Sequence, residues 1–289
     1  MKVVNTIQEV RENVSEARSA GKKIGFVPTM GYLHRAHLSL VEEAMKYTGY
    51  QVMSIFVNRM QFNDAGDFGS YPRDLERDLE LARENGVDLV FVPDDTEMYR
   101  ERLAYVDIEV LTENLCGATR PGHFRGVLTV VSKLFNIVQP DVSVFGQKDI
   151  QQAVSIEKMV EDLNFPVKII VAPIVREEGG LAMSSRNKNL TDSGRVDALA
   201  LYRSLQSAEE MVKSGERDSA VIKAEIERII NEGRPDRIDY ISVVRYSDLS
   251  LADRIDEKSV IAVSAFFGSP KLLDNMIIEF KDGSPWCIY

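Results

Sequence analysis

Hydrophobic residues in the first half of the chain form short runs separated by amphipathic stretches. The runs lie at residues 24–27, 52–57, 87–92, 142–145 and 167–171. Their length and their content of β-branched residues predict buried strands. The stretches at 72–85, 127–138 and 150–163 have the apolar spacing of helices. This alternation predicts an α/β fold, a Rossmann-like parallel sheet with helices on both faces.

The pattern changes after about residue 173. Two amphipathic stretches, at 193–214 and 219–231, are followed by strand-like runs at 238–244, 260–265 and 276–280. Helices followed by strands predict a smaller α+β domain. The sequence therefore predicts a nucleotide-binding domain at 1–174 and a C-terminal lid domain at 175–289, able to close over the carboxyl ends of the strands.

The most informative segment follows the first predicted strand and contains two of the three histidines, His34 and His37. Apolar residues at 38, 41 and 44 predict a helix that begins here, so both imidazoles project from one side of its first turn. Free N–H groups and the helix dipole favour phosphate at such a helix start. Two histidines alone are typical of capping or surface residues, but the preceding strand and Gly31 together favour a nucleotide site.

Composition limits the remaining possibilities. The 289 residues are 44% hydrophobic, and none of the apolar runs approaches the length of a membrane span. Two cysteines and an N-terminus without signal-peptide character predict a reducing, cytoplasmic setting. The net charge of −10 argues against broad nucleic-acid binding. Anionic substrates then require the cations to be concentrated in the site. The candidates are Lys148, Arg125, Arg176, Arg186 and Lys188.

Two further segments carry polar groups beside predicted strands or helices. The run at 54–62 ends in Asn58 and Gln61, whose amides suit a polar small molecule, although such a loop alone is typical of ordinary turns. In the run at 120–127, His123 and Arg125 are placed to face an anion, and two glycines allow close backbone approach. His123 is interpreted as structural rather than catalytic.

Two later segments predict phosphate contacts. Lys148 follows a strand and a glycine, and Gln152 lies one helical turn further on. The Ser-Ser-Arg-Asn run at 184–187, with Gly179 and Gly180 nearby, predicts a mobile polar loop able to hold a triphosphate. Alone, each is typical of a solvated surface.

Taken together, these segments carry a family resemblance. The run at 28–37 resembles the H-x-G-H signature of the nucleotidyltransferase superfamily, and the loop at 183–186 looks like the K-M-S-K-S-type loop of the same superfamily. Five ordered motifs between 24 and 190 are similar to those of pantoate–β-alanine ligases. The run at 272–275, Leu-Leu-Asp-Asn, is similar to a further feature of that family.

The resemblance implies an ATP-dependent condensation of (R)-pantoate with β-alanine to pantothenate. It proceeds through a pantoyl adenylate and releases AMP and pyrophosphate. Mg²⁺ is expected to be held largely by the phosphates, with no protein metal ligand assigned and only an auxiliary role considered for Asp78. The resemblance also implies a homodimer, with no nucleic-acid or membrane partner.

Site residues follow from the matching positions. The resemblance implies catalytic roles for His34, His37 and Lys148, with His37 as a proton donor, and substrate binding by Gln61 and Gln152. The implied ATP-binding residues are Met30, Gly31, Tyr32, Leu33, His34, Arg35, Ala36, His37, Gly146, Gln147, Lys148, Asp149, Val175, Met183, Ser184, Ser185 and Arg186.

The chain departs from the family pattern at Ala36, where the signature has glycine, at Arg59, where proline is usual, and at Gly179, where aspartate is common. An added methyl alters backbone approach to the nucleotide, and losing proline frees a loop. Two alternatives stay open: a related nucleotidyltransferase of the cytidylyl or adenylyl type, and a nucleotide-binding homologue with impaired catalysis.

Overall fold

The structure, a computed structural model, describes residues 1–63, 65–100 and 104–289. The chain divides into two compact units. Unit 1 comprises Met1–Glu109, Gly117–Gly146 and Ser155–Ala172, and unit 2 comprises Val110–Cys116, Gln147–Val154 and Pro173–Tyr289. The division into domains 1–174 and 175–289 stays a prediction.

Unit 1 contains a six-stranded parallel sheet, which confirms the predicted Rossmann-like class. The strand order is β1-β4-β3-β2-β5-β6. The strands are β1 (Lys2–Val4), β2 (Ile24–Thr29), β3 (Tyr50–Ile55), β4 (Leu89–Phe91), β5 (Val142–Gly146) and β6 (Lys168–Ala172). All five predicted runs form strands, whereas β1 was not predicted.

Ten α-helices are present in the described ranges. Three of them, α2, α4 and α7, matter most for the site. The bounds are α1 (Ile7–Ser19), α2 (Arg35–Met45), α3 (Ala65–Ser70), α4 (Leu75–Glu84), α5 (Asp95–Met98), α6 (Leu115–Thr119), α7 (His123–Val138), α8 (Ile150–Asp162), α9 (Asp192–Lys213) and α10 (Ser219–Glu232). Short 3-10 helices occur at Arg59–Gln61, Gln147–Asp149 and Ser185–Asn189.

Helices cover both faces of the sheet because successive strand residues point to opposite sides. On β2, the Phe26 ring packs edge-on against Phe135 of α7, with ring centres 6.4 Å apart. The next residue, Val27, belongs to a different buried cluster that includes Val41 of α2 and Ala82 of α4. Burial on both faces explains the nearly continuous apolar runs.

The strand order reverses direction at β2 and β5. From β2 the chain proceeds to β3 and β4 on one side, whereas β5 and β6 lie on the other. Ligands of open α/β sheets bind beyond the carboxyl ends of the strands at such a switch point. The carboxyl end of β2 leads into the histidine segment, so the topology favours a ligand site beside that segment.

Unit 2 contains a four-stranded antiparallel sheet in the order β10-β9-β8-β7. Its core includes Leu201 and Leu205 of α9, Ile226 of α10, and Ile261 and Met276 of the sheet. This arrangement confirms the predicted α+β architecture. The strands are β7 (Arg237–Arg245), β8 (Ser259–Phe266), β9 (Lys271–Lys281) and β10 (Ser284–Ile288). Across the described ranges, the helices all fall short of the length and apolar character that a membrane span needs.

Candidate active site

A tight turn connects β2 to α2 and is fixed by hydrogen bonds at its start. The Thr29 hydroxyl donates to the carbonyl of Ser54 over 2.8 Å and accepts the N–H of Gly31 over 3.2 Å. Gly31 has a φ of 82°, which L side chains rarely adopt. A Cβ at this position would lie 2.9 Å from a carboxylate oxygen of Asp78. Both conformation and space therefore require glycine here.

Asp78 holds the centre of this turn. Its side chain lies in the first half of α4 and the residue is 1% exposed. One carboxylate oxygen accepts the N–H of Tyr32 over 2.7 Å, and the other accepts the N–H of Leu33 over 2.6 Å. Tyr32 has a left-handed φ of 52°, a costly conformation that such hydrogen bonds stabilise. In the structure Asp78 thus holds the turn in position.

The two histidines lie side by side at the start of α2, as predicted. His34 is the N-cap residue and His37 the third helical residue. Their rings are stacked, with centres 4.1 Å apart and planes inclined by 28°. The backbone N–H of His34 donates to Nδ1 of His37 over 3.3 Å. Because Nδ1 accepts, the ring proton of His37 is on Nε2, the atom that can donate to an anion.

The other residues of this segment differ in what they present. The side chain of Leu33 is fully buried in the core, so only its backbone faces the turn. Arg35 is exposed and its guanidinium pairs with Glu42 over 2.7 Å. Ala36 is half-buried in the first turn of α2. Of the residues predicted to bind ATP here, the histidines are therefore the best placed chemically.

Gln61 is held against the histidine segment by its neighbours in unit 1. Its amide nitrogen lies 3.0 Å from the sulfur of Met30, and its amide oxygen accepts from Nδ2 of Asn58 over 3.1 Å. Asn58 is 1% exposed and also donates to the carbonyl of Gly126 over 3.1 Å. The hydroxyl of Tyr99 donates to Oδ1 of Asn58 over 2.9 Å. The structure brings two separately predicted segments together.

Helix α7 supports the Gln61 loop. Nδ1 of His123 lies 2.7 Å from the carbonyl oxygen of Gln61. A Cβ on Gly126 would lie 2.4 Å from the carbonyl oxygen of Met60, so glycine permits this contact. Arg125 instead forms an exposed ion pair with Asp107 over 2.6 Å. The anion-facing arrangement of the 120–127 segment stays a prediction, and in this structure the guanidinium of Arg125 faces a carboxylate.

Arg59 is the first residue of the 3-10 helix that carries Gln61, and it is exposed. Proline is favoured at a first helical position because its φ is preset there. The contacts of Asn58, His123 and Gly126 hold the loop independently of that preset. The loop therefore keeps its shape without proline.

In unit 2, Lys148 and Gln152 lie at the junction between a 3-10 turn and α8. Lys148 is in the turn Gln147–Asp149, and its side chain is only 17% exposed. Its Nζ lies 3.5 Å from the carboxylate of Asp149. Gln152 is half-buried in the first turn of α8. Lys148 thus precedes the helix instead of beginning it.

The loop predicted to hold phosphates begins as a small hairpin. The N–H of Met183 donates to the carbonyl of Val175 over 2.9 Å, and the N–H of Glu177 donates to that of Leu181 over 2.8 Å. Gly179 has a φ of 91° at the turn, so glycine there relieves a strain that aspartate would carry. The hairpin places Ser184 as the N-cap of the following 3-10 helix.

A small cleft within unit 2 joins these segments. Lys148, Ser184 and Arg186 line it, together with Asp274 and Lys271. Three cations in one pocket favour a polyanionic ligand. Lys271 was not predicted as a site residue, because in the sequence it marks only the start of a strand. It forms an ion pair with Asp239.

In the parts of the chain that the structure describes, no group of three His, Cys, Asp or Glu side chains could hold a metal ion. The carboxylate oxygens of Asp78 already accept two backbone N–H groups.

Comparisons with known proteins point to one family. A family described as pantoate-beta-alanine ligase matches residues 2–277. A pantothenate synthetase from Moorella thermoacetica is 51% identical over 283 residues, which are 98% of this chain and 100% of the relative. One from Thermoanaerobacter sp. is 51% identical over 278 residues, which are 96% of this chain and 98% of that relative.

Solved structures show the same likeness. The crystal structure of pantothenate synthetase from Thermus thermophilus has a TM-score of 0.89 at 42% identity, covering 95% of this chain and 98% of the other. That of pantoate-beta-alanine ligase from Francisella tularensis has a TM-score of 0.76 at 32% identity, covering 96% and 97%. The latter protein is complexed with beta-gamma ATP and beta-alanine.

Proposed function

Because this chain belongs to the pantoate–β-alanine ligase family, an ATP-using enzyme family that makes pantothenate, we propose that it acts through a pantoyl adenylate and releases AMP and pyrophosphate. The observation that carries this proposal is the stacked pair His34 and His37 at the start of α2, with Gln61 held beside Met30. These groups combine phosphate donors with an amide for a polar substrate, which suits a site that activates a carboxylate with ATP.

In the proposed first step, a carboxylate oxygen of pantoate attacks the α-phosphorus of ATP. The new P–O bond forms as the bond to pyrophosphate breaks. Gln61 and Gln152 orient pantoate, and Nε2 of His37 donates to a phosphate oxygen as negative charge develops. His34 and Lys148 stabilise the same charge. Positioning and electrostatics supply the acceleration, since the step needs no protein nucleophile.

Mg²⁺, carried by the ATP phosphates, would neutralise part of the charge on the leaving pyrophosphate. The remaining nucleotide contacts are proposed for Gly146, Gln147, Asp149 and Val175, and for the loop at 183–186. That loop would shield the adenylate from water.

In the proposed second step, the amine of β-alanine attacks the carbonyl carbon of the adenylate. The C–N bond forms, the C–O bond to AMP breaks, and the ammonium proton is lost to water. Gln61 passes from pantoate to β-alanine as the amine enters. The products are pantothenate and AMP.

The first step is tested by exchange of labelled pyrophosphate into ATP. We expect exchange that requires pantoate and does not require β-alanine. His37→Ala should lose exchange while keeping its circular dichroism spectrum. Exchange that is independent of pantoate, or that depends on another acid or a nucleotide acceptor, would overturn the proposal in favour of a different nucleotidyltransferase.

Assembly and location are also proposals from the family resemblance. We propose a homodimer, which sedimentation equilibrium would test by its mass relative to the 32.5 kDa chain. We also propose a cytoplasmic location, which fractionation of the source cells would test. A monomer at micromolar concentration would overturn the first proposal, and recovery in the membrane fraction would overturn the second.

A further inference from the structure

We propose that Asp274 and Asn275, neighbours on β9, position two nucleotide-binding segments of unit 2 at once. Asp274 fixes the hairpin that leads to Met183 and Arg186, and Asn275 fixes the turn that carries Lys148. The inference rests on the proposed function, because it takes both segments to contact ATP. The proposed mechanism assigns no role to the Leu-Leu-Asp-Asn motif, and this inference supplies one.

Asp274 forms a buried, bidentate ion pair with Arg176. Asp274 is 3% exposed, and its oxygens accept from Nη1 and Nη2 of Arg176 over 2.7 and 3.0 Å. Arg176 also donates to the carbonyl of Gly180 over 2.9 Å and lies over the ring of Tyr202 at 4.1 Å. These contacts leave the guanidinium little freedom.

The ion pair acts on the phosphate loop through the hairpin. Arg176 forms an antiparallel backbone β-bridge with Ala182 across the hairpin. The carbonyl of the neighbouring residue, Val175, accepts the N–H of Met183. Fixing Arg176 therefore fixes the strand that runs into Ser184. Without Asp274 the hairpin would lose its anchor on the sheet.

The Asn275 contact is a set of three hydrogen bonds. Asn275 is 2% exposed, and its Nδ2 donates to the carbonyls of Gln147 and Lys148, each over 3.0 Å. Its Oδ1 accepts from the side chain of Gln147 over 3.2 Å. Both N–H groups and the oxygen of the amide are thus used. These hydrogen bonds fix the backbone of the turn and therefore the direction of the Lys148 side chain.

Strand geometry explains how adjacent residues reach different segments. Successive side chains on a strand point to opposite faces. Asp274 shares the face of Leu272 and Met276, which pack in the core with α9 and α10. Asn275 projects from the other face. One dipeptide can therefore hold two loops in a fixed relation.

Energetics favours a positioning role over a purely stabilising one. A buried ion pair is often no more stable than apolar residues of similar volume, because both charges lose their hydration. Burial raises the pKa of Asp274 above its ordinary value, and the hydrogen bond from Arg176 opposes that shift. What the pair supplies that apolar residues lack is a fixed geometry.

The test compares Asn275→Ala and Asp274→Asn with Ile226→Ala, a matched core variant in the same unit. Ile226 is fully buried in α10, within the core of unit 2, and takes no part in the hydrogen bonds and the ion pair of Asp274 and Asn275. Titration calorimetry with ATP should show a Kd about 10-fold higher in the first two variants, which is about 1.4 kcal/mol. Ile226→Ala should lower the melting temperature and leave the Kd unchanged. Asn275→Asp, which has the same shape, serves if Asn275→Ala fails to fold.

A second arm tests whether the effects pass through the loops. Asn275→Ala should change kcat less than about 2-fold when Lys148 is already alanine, and Asp274→Asn likewise when Arg186 is alanine. Additive effects in those backgrounds would overturn the proposal. So would a rise in the ATP Kd of Ile226→Ala as large as the rise in Asn275→Ala and Asp274→Asn. A wild-type protein that binds ATP without making pantothenate would instead refute the proposed function, and the Kd values would still decide the positioning role.

Discussion

The two units hold the segments that we propose to bind ATP by different means. In unit 1, one buried carboxylate, Asp78, accepts two backbone N–H groups of the turn before His34. In unit 2, Asp274 and Asn275 bind a guanidinium and two carbonyls. The first support fixes a main-chain conformation, and the second fixes elements that carry side chains. Loop shape in both units thus depends on a buried polar residue distant in sequence.

This difference has energetic consequences. Loss of Asp78 would leave two N–H groups without an acceptor beside the left-handed Tyr32. Loss of Asp274 would leave the Arg176 guanidinium buried without its counter-charge. The turn in unit 1 stores strain, so its support should matter more to activity than that of unit 2.

The largest effect is expected from the histidines that the Asp78 turn presents. His37→Ala should lower kcat for pyrophosphate exchange by about 100- to 1000-fold, the usual loss for a donor to transition-state charge. His34→Ala should lose about as much or less. Initial rates of pyrophosphate exchange at saturating ATP measure kcat. An unchanged melting temperature of each variant is the control for folding. A loss below 10-fold would mean that the pair only caps α2.

Asp78→Asn should have the next largest effect. The amide keeps the shape but offers one acceptor where two N–H groups need two, so kcat/KM for ATP should fall about 10- to 100-fold. Unfolding in urea should show a loss of about 2 kcal/mol. Asp74→Asn, at the exposed N-cap of the same helix, is the matched control and should leave kcat/KM unchanged. Full activity in Asp78→Asn would break the comparison.

Arg176→Lys tests the support of unit 2 on its own. Lysine keeps the charge but loses the two-pronged contact with Asp274, so KM for ATP should rise about 5-fold with kcat changed less. Steady-state kinetics at saturating pantoate and β-alanine measures the split. A kcat loss as large as that of Asp78→Asn would show that both supports matter equally.

The two departures from the family pattern should have small effects. Arg59→Pro and Ala36→Gly should each change kcat/KM by less than about 3-fold, because contacts of Asn58 and His123 already hold the loop and Ala36 is a good helix former. Single-turnover rates give the comparison. A gain above 10-fold in either variant would show that the natural residue impairs the site.

The smallest effect concerns β10, which borders Gln147. Burial raises the pKa of Cys287 to about 11 from 9.0. The neutral thiol therefore contributes stability that is present below pH 9 and is lost as pH rises toward 11. After solvent screening, this contribution should be under about 1 kcal/mol. Urea unfolding of wild type and Cys287→Ser at pH 8 and pH 10.5 should show the difference shrinking, and a growing difference would contradict it.

The sequence predicted the sheet well because strands buried on both faces are continuously apolar. It missed β1, which has three residues, and β10. The second omission was avoidable, since Asp282 and Gly283 have φ values of 51° and 79° and form the Asp-Gly turn typical of a tight hairpin. The hydrophobic pattern was therefore sufficient to predict the long strands but not the short edge strands β1 and β10.

The roles predicted for the site residues stay predictions, whereas the fold class is confirmed. His34, His37, Gln61 and Lys148 follow strands, but their segments alone are typical of ordinary turns or surfaces, so their predicted roles rest on the family resemblance. The supports were not predictable, because the partners of Asp78 lie 45 and 46 residues away and those of Asn275 lie 127 and 128 residues away. Only the folded chain brings such groups together.

The central claim, an adenylate formed on pantoate, is tested most directly by isotope transfer. Pantoate labelled with oxygen-18 in its carboxylate is converted in a complete reaction, and AMP and pantothenate are analysed by mass spectrometry. The account predicts one labelled oxygen in each AMP and one in each pantothenate amide, because the attacking oxygen leaves with the nucleotide. Unlabelled AMP formed together with pantothenate would contradict it.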